Sequence, residues 1–217
     1  MLELTLPAIA RRPTRLLCIG AHADDIELGC GGTLLKLLAQ RACEVTWAVF
    51  SAAPPRGAEL QASARRFLRN ARRTALIAHT FRDSYFPAAY APIKDAFLQL
   101  QRLPPPDLIF THHREDLHQD HRLLGELTWN AFRAHAILEY EIPKYEGALG
   151  SPNAYVALSA AQARAKMRAL LTCYRSQRAR PWFRAATFEA LMRLRAIEAG
   201  VAGGWAEAFH VRKLKLG

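Results

Sequence analysis

Long apolar runs are missing from this 217-residue chain. Nothing approaches the ~18 uninterrupted hydrophobic residues of a membrane-spanning helix, so no membrane span is expected. The opening MLELTLPAIARRPTR carries Glu3 early and no basic region ahead of its apolar stretch, which is unlike a secretory leader. A cytoplasmic location is expected. Cysteine is also sparse: the four thiols (Cys18, Cys30, Cys43, Cys173) form no CxxC pair, which argues against a disulfide framework and a thiolate zinc site. Cys18 and Cys43 sit in or beside apolar strand-like runs and read as buried free thiols, while Cys30 lies close to an acidic motif. No glycine loop ends in GKS or GKT, no dinucleotide fingerprint is present, and the HxxxH of a zincin helix is absent. Acid is the scarcer charge, with 19 Asp and Glu against 30 Lys and Arg, a net +11. The excess is arginine, dense at Arg65, Arg66, Arg69, Arg72 and Arg73 and again from Arg164 to Arg184. Such a balance favours anionic substrates or surfaces. It also admits a nucleic-acid-binding module without catalysis, but no recognition helix, zinc-finger spacing or RNA-binding aromatic motif accompanies it, and no nucleic-acid partner is expected.

What is present is a globular composition, 51% hydrophobic, long enough for one domain over residues 1–217 with a substantial core. Apolar or β-branched runs at residues 15–20, 44–51, 79–81, 108–111 and 136–140 read as strands, and 154–158 as an edge strand. Helical spacing covers residues 33–41, 58–78, 93–103, 120–134, 161–174 and 187–199. The triple proline Pro104 to Pro106 stops the third of these, because proline lacks the amide proton and clashes with the preceding turn. Alternation of this kind predicts an α/β fold, a three-layer α/β/α sandwich with a mostly parallel sheet. Gly29, Gly31 and Gly32 read as an open turn before the first helix, and Gly200, Gly203 and Gly204 as a break near the end.

Two clusters of acids and imidazoles fall where a strand runs out and a helix begins. One is His22, Asp24 and Asp25; the other is His118, Asp120 and His121. In open α/β sheets, ligand sites gather at such strand ends, so the two halves are read as one site. His22 and Asp25 with one further imidazole make the nitrogen and oxygen set of catalytic zinc, with a position left for water. One histidine of the HxDH stretch suffices as a ligand; the other is free to donate a proton or stabilise an oxyanion. Neighbouring carboxylates point apart, so one of Asp24 and Asp25 binds metal while the other takes a proton. Asp120 is placed as a carboxylate that orients an imidazole, and Glu27 either does the same or caps the helix.

These residues carry a resemblance. Ala21 to Leu34 (AHADDIELGCGGTL) and His113 to Arg122 (HREDLHQDHR) resemble the two signatures of the PIG-L (LmbE-like) zinc-dependent N-deacetylases. Weaker similarity continues at Lys166, Ala169, Leu170, Ser176 and Gln177, and at Ala206 to Phe209. The resemblance implies a Rossmann-like fold, a bound Zn2+ or other divalent ion, and hydrolysis of an acetamide on an amino sugar or its conjugate. It also implies His22, Asp25 and His121 as metal ligands, Asp24 as general base, His118 as stabiliser or proton donor for the tetrahedral intermediate, and Asp120 as support for the imidazoles. Ala23 replaces the usual proline, Tyr174 a common histidine, and the basic stretch around Arg66 and Arg69 an arginine followed by glutamate. Arg66 is a candidate substrate contact. Sugar-stacking rings are expected in the loop from Tyr85 to Tyr90 and in the segment from Tyr140 to Tyr145. Another metal-assisted amide or ester hydrolase on the same scaffold is the alternative chemistry.

Overall fold

The computed structural model describes residue 3, residues 12–147 and residues 149–215. Its centre is a seven-stranded sheet in the order β3-β2-β1-β4-β5-β7-β6, formed by β1 (Thr14–His22), β2 (Cys43–Ser51), β3 (Arg73–Ala78), β4 (Leu108–His112), β5 (Ala136–Tyr140), β6 (Ala154–Leu158) and β7 (Trp205–His210). The first five run parallel, and β7 lies antiparallel between β5 and β6. Around the sheet are α1 (Asp25–Gln40), α2 (Arg56–Phe67), α3 (Tyr90–Gln101), α4 (Gln119–Ala131), α5 (Ala160–Cys173) and α6 (Ala185–Glu198).

Period-two alternation along the strands feeds two cores. Leu16 and Cys18 of β1 face one core with Leu34, Leu37, Leu60, Phe67 and Leu170 from α1, α2 and α5. Leu17 and Ile19 face the other, with Ile93, Phe97, Leu124 and Leu127 from α3 and α4. This is the expected three-layer α/β sandwich. Among the described residues no helix is long and apolar enough to cross a membrane. Strand order reverses between β1 and β4, and in open α/β sheets ligand sites gather at the carboxyl ends of the strands at such a point.

Five elements depart from the sequence reading. α1 begins at Asp25, eight residues before the expected start at Thr33, so Gly29, Gly31 and Gly32 are helical and make no turn. Close packing requires them. A Cβ at Gly29 would lie 2.2 Å from Tyr140 Cδ2, one at Gly31 2.7 Å from Phe67 Cε1, and one at Gly32 2.4 Å from Leu158 Cδ1. α2 stops at Phe67, and residues 73–78, which helical spacing had claimed, form the edge strand β3 through parallel pairing with β2. Tyr90 to Pro92 are the first turn of α3, where a missing proline amide costs nothing. β7 was unanticipated, because its flanking glycines read only as breaks.

β7 and α5 are bound to α1 by a buried ion pair that enters the helix's own hydrogen-bond ladder. Lys166 Nζ donates to Leu28 O and to Glu207 Oε1, each at 2.6 Å. Glu207 in turn accepts the Gly32 and Thr33 amides at 2.8 and 2.6 Å. The C-terminal segment therefore fixes the helix that opens with the acidic motif.

Alanine at an ordinary helical glycine raises stability by about 1 kcal/mol. At Gly29 the collision with Tyr140 reverses the sign, and Gly29→Ala is expected to lower unfolding free energy by about 1–3 kcal/mol, read by urea denaturation. A stabilised Gly29→Ala protein would show that the close approach is not required.

Candidate active site

The carboxyl ends of β1 and β4 bring both acidic clusters together. Asp24, between β1 and α1, has φ 124°, a conformation that side-chain-bearing residues rarely adopt and that is strained wherever it occurs. The sharp turn sends adjacent carboxylates in different directions. Asp24 pairs with Arg56 at the start of α2, with Oδ1 2.8 Å from Nη2. Asp25 faces the imidazoles.

His22 Nδ1 lies 3.1 Å from His121 Nε2 and 3.4 Å from Asp25 Oδ2, and His121 Nε2 lies 3.4 Å from the same oxygen. A tetrahedral zinc ion with bonds of ~2.0 Å needs ligand atoms roughly 3.3 Å apart, so the triangle has the edge such an ion requires. The remote nitrogen of each ring is held by carboxylate. His22 Nε2 lies 3.1 Å from Asp83 Oδ1 and 3.2 Å from Asp120 Oδ2, and His121 Nδ1 lies 3.1 Å from Asp116 Oδ2. With the proton on the outer nitrogen, each ring turns a lone pair to the same point, as imidazoles do in metal centres.

Asp120 is fully buried and does more than face His22. It accepts the amides of Ser84 and Phe86 at 2.7 and 3.0 Å, which fixes the loop after β3 against the site. His118 caps α4, its Nδ1 accepting the Asp120 amide at 3.3 Å, so a proton on this ring sits at Nε2. Its half-buried ring centre is 5.0 Å from that of His22 and 4.6 Å from that of His121.

Several residues at the site were missed from sequence. His112, the last residue of β4, is buried and stacks on His121 with ring centres 3.9 Å apart. Its Nε2 accepts the Ala21 amide at 2.9 Å and lies 3.2 Å from Asp25 Oδ2, while its buried Nδ1 has no partner among the described residues. Grouped by ligand atoms, Asp25, His112 and His121 can hold a metal ion, as can His22, His118 and His121, or His22, Asp83, His118 and Asp120. Asp116 is clamped by Lys144 and accepts the His118 amide at 2.8 Å. Both His112 and Asp116 stand in or beside the second motif, where the doubled histidine at a strand end was the available signal. Asp83 and Arg56 had none, since only tertiary packing brings their segments here.

Burial dominates the proton affinities. It pushes the His121 imidazole down to about 3, helped by neighbouring His112. It lifts the Asp24 carboxyl well above the ordinary range; Arg56 opposes the rise, and Asp25 and Glu27 add to it. Burial would also raise Asp25, but the His121 and His112 imidazoles and their hydrogen bonds hold it well below the usual value. His22 is raised well above an ordinary imidazole despite its burial, because Asp120, Asp25 and Asp83 surround it. That negative field is what a divalent cation would neutralise. Behind Asp24, buried Glu27 accepts a hydrogen bond from the Tyr174 hydroxyl, and burial raises its pKa.

The candidate substrate contacts are placed unevenly. Tyr85 lies between the two amides anchored on Asp120, half exposed, with the Arg82 guanidinium 3.6 Å above its ring. Tyr90 is half exposed at the start of α3, and its side chain makes no hydrogen bond or ring contact among the described residues. Arg66 stands on the outer wall of α2, in a groove with Cys173 and Arg175; the arginine at the site is Arg56. Tyr140 is a core residue, its hydroxyl donating to Ile19 O at 2.6 Å, whereas Tyr145 is exposed. Cys30 is buried and its thiol is pushed well above the ordinary range by burial, so it is no nucleophile.

Residues 17–132 match the family described as PIG-L: GlcNAc-PI de-N-acetylase. A relative in Escherichia coli (strain K12), the uncharacterized deacetylase YaiS, is 30% identical over 153 residues, 66% of this chain and 82% of its own. The conserved protein TT1542 from Thermus thermophilus superposes with a TM-score of 0.70 at 24% identity, covering 93% of this chain and 96% of that one. The N,N'-diacetylchitobiose deacetylase from Pyrococcus horikoshii gives 0.66 at 19% identity, covering 92% and 84%. At those identities the two structures establish the shared fold.

Asp116→Asn removes the carboxylate behind His121 and keeps its size. Divalent-ion affinity, measured by chelator competition, is expected to weaken about 10–100-fold. Asp83→Asn is expected to cost less, because Asp120 shares its contact with His22.

Proposed function

The chain belongs to the PIG-L family, and from that premise we propose that it is a zinc-dependent N-deacetylase, a hydrolase that removes the acetyl group from an amino sugar or amino-sugar conjugate. The observation that carries the reading is the 3.1–3.4 Å triangle of His22 Nδ1, His121 Nε2 and Asp25 Oδ2 beside a separate buried carboxylate, Asp24. The likeness to a family of de-N-acetylases and to a relative named as a deacetylase supports it.

In this reading His22, Asp25 and His121 hold the ion. When bound, a divalent ion supplies Lewis acidity, which polarises an acyl oxygen and makes water more acidic near it. Asp24 takes the proton from the attacking water. A carboxyl raised by burial is a stronger base than an exposed one, and the Arg56 guanidinium, 2.8 Å away, favours its ionised form. His118 carries its proton on Nε2, because Nδ1 is occupied by the Asp120 amide. From that nitrogen it donates a hydrogen bond that stabilises charge on the acyl oxygen, and Asp24 returns the water proton to the departing nitrogen. Water adds to the acyl carbon, the carbon–nitrogen bond breaks, and acetate and a free amine leave. Asp120 orients His22 and holds the Ser84–Phe86 loop at the rim.

Acetate release from N,N'-diacetylchitobiose and N-acetylglucosamine conjugates tests the proposal. Chelation should abolish release and added zinc restore it. Asp24→Asn should lower kcat by about 10²–10⁴-fold with metal content unchanged. Turnover that survives either treatment would sink the mechanism.

A further inference from the structure

The site described above leaves the arginine excess unused. Six exposed arginines wall two open grooves on either side of the C-terminal half of α5. Arg65, Arg66 and Arg175 line the groove between α2 and α5, and Arg168, Arg178 and Arg184 line the groove between α5 and the start of α6. The grooves meet at Thr172, which lines both. None of the six pairs with a carboxylate among the described residues. Among those residues the only acid lining either groove, Glu59, is already engaged by the Ser176 amide and hydroxyl at 2.8 and 2.6 Å. Arg178 and Arg184 donate to the Leu171 and Arg178 carbonyls, but none of the six has a partner of opposite charge among the described residues, and an anionic occupant would supply one.

The first groove starts near the reaction site, and the second joins it at Thr172. Ala58 and Glu59 line the first, two and three residues beyond Arg56, which holds Asp24. Cys173 and Arg175 also line it; between them Tyr174 turns inward, bonds Glu27 and lies beneath the Arg56 guanidinium, 5.4 Å from ring centre. A chain whose acetylated end reached Asp24 would therefore have this surface beside it. Arginine in place of lysine fits a phosphate or carboxylate with a paired donor fork. Among the described residues no large exposed hydrophobic side chain lines either groove to enter a membrane.

We infer that these grooves bind the acidic portion of the substrate, a chain carrying spaced phosphate groups attached to the acetylated sugar. The inference rests on the deacetylase reading for the sugar end, but groove binding is measurable without turnover. Medium-chain inorganic polyphosphate is the probe, followed by fluorescence competition over a salt series. Wild-type protein should bind it with strong salt dependence. The triple variant Arg65→Ser, Arg168→Ser, Arg175→Ser should bind at least about tenfold more weakly with a shallower salt slope, fold with an unchanged circular dichroism spectrum, and deacetylate neutral diacetylchitobiose as wild type does. Equal binding by wild type and variant, or no binding by either, overturns the inference. So does tighter, arginine-dependent binding of duplex DNA or of phosphatidylserine vesicles. Arginine-dependent polyphosphate binding in a protein that releases no acetate from any sugar would leave the groove's anion chemistry standing and refute the deacetylase reading alone.

Discussion

Two imidazole nitrogens and a carboxylate oxygen aimed at one point form the constraint around which the rest of this molecule is arranged. Donor atoms 3.1–3.4 Å apart need a proton or a metal cation among them, and the raised proton affinity of His22 reflects that demand. Burial makes that demand sharper, because water cannot screen the charges. Everything nearby either aims the donors or balances their charge. Asp116 with Lys144, and Asp120 with Asp83, hold the outer nitrogens. Arg56 draws Asp24 away from its neighbour, so that carboxylate stands apart from the three donors.

The same constraint explains why α1 is built as it is. The helix must begin at Asp25 to bring its carboxylate beneath His22, and it must lie close to the sheet to do so. Three glycines allow that approach against Tyr140, Phe67 and Leu158. The Lys166–Glu207 pair then secures the helix from the C-terminal side by taking over hydrogen bonds at Leu28, Gly32 and Thr33. Distant parts of the sequence thus meet in the placement of one acidic motif.

The sequence revealed the parts of this arrangement that depend on local pattern. Strand–helix alternation predicted the layered α/β fold, and the two motifs at strand ends predicted which side chains would gather. Features set by tertiary packing were hidden. Gly29, Gly31 and Gly32 looked like a turn because their packing partners lie on other elements, including one more than a hundred residues away at Tyr140. Residues 73–78 looked helical because their pairing partner, β2, is not visible in their own spacing. His112 escaped notice beside His113, although the two rings point to different surroundings: one stacks on His121 and the other on His210. Arg66 was singled out through the resemblance, on the helix where the family usually carries an arginine, while the arginine that reaches Asp24 is Arg56, at the start of the same helix.

The most direct test is an anomalous-difference map at the zinc edge from crystals of zinc-loaded protein. The account predicts one peak about 2.0–2.2 Å from His22 Nδ1, His121 Nε2 and Asp25 Oδ2, with Asp24 turned to Arg56 and outside bonding distance. A peak centred instead on Asp83, His118 and Asp120, or no peak in fully loaded crystals, would contradict it.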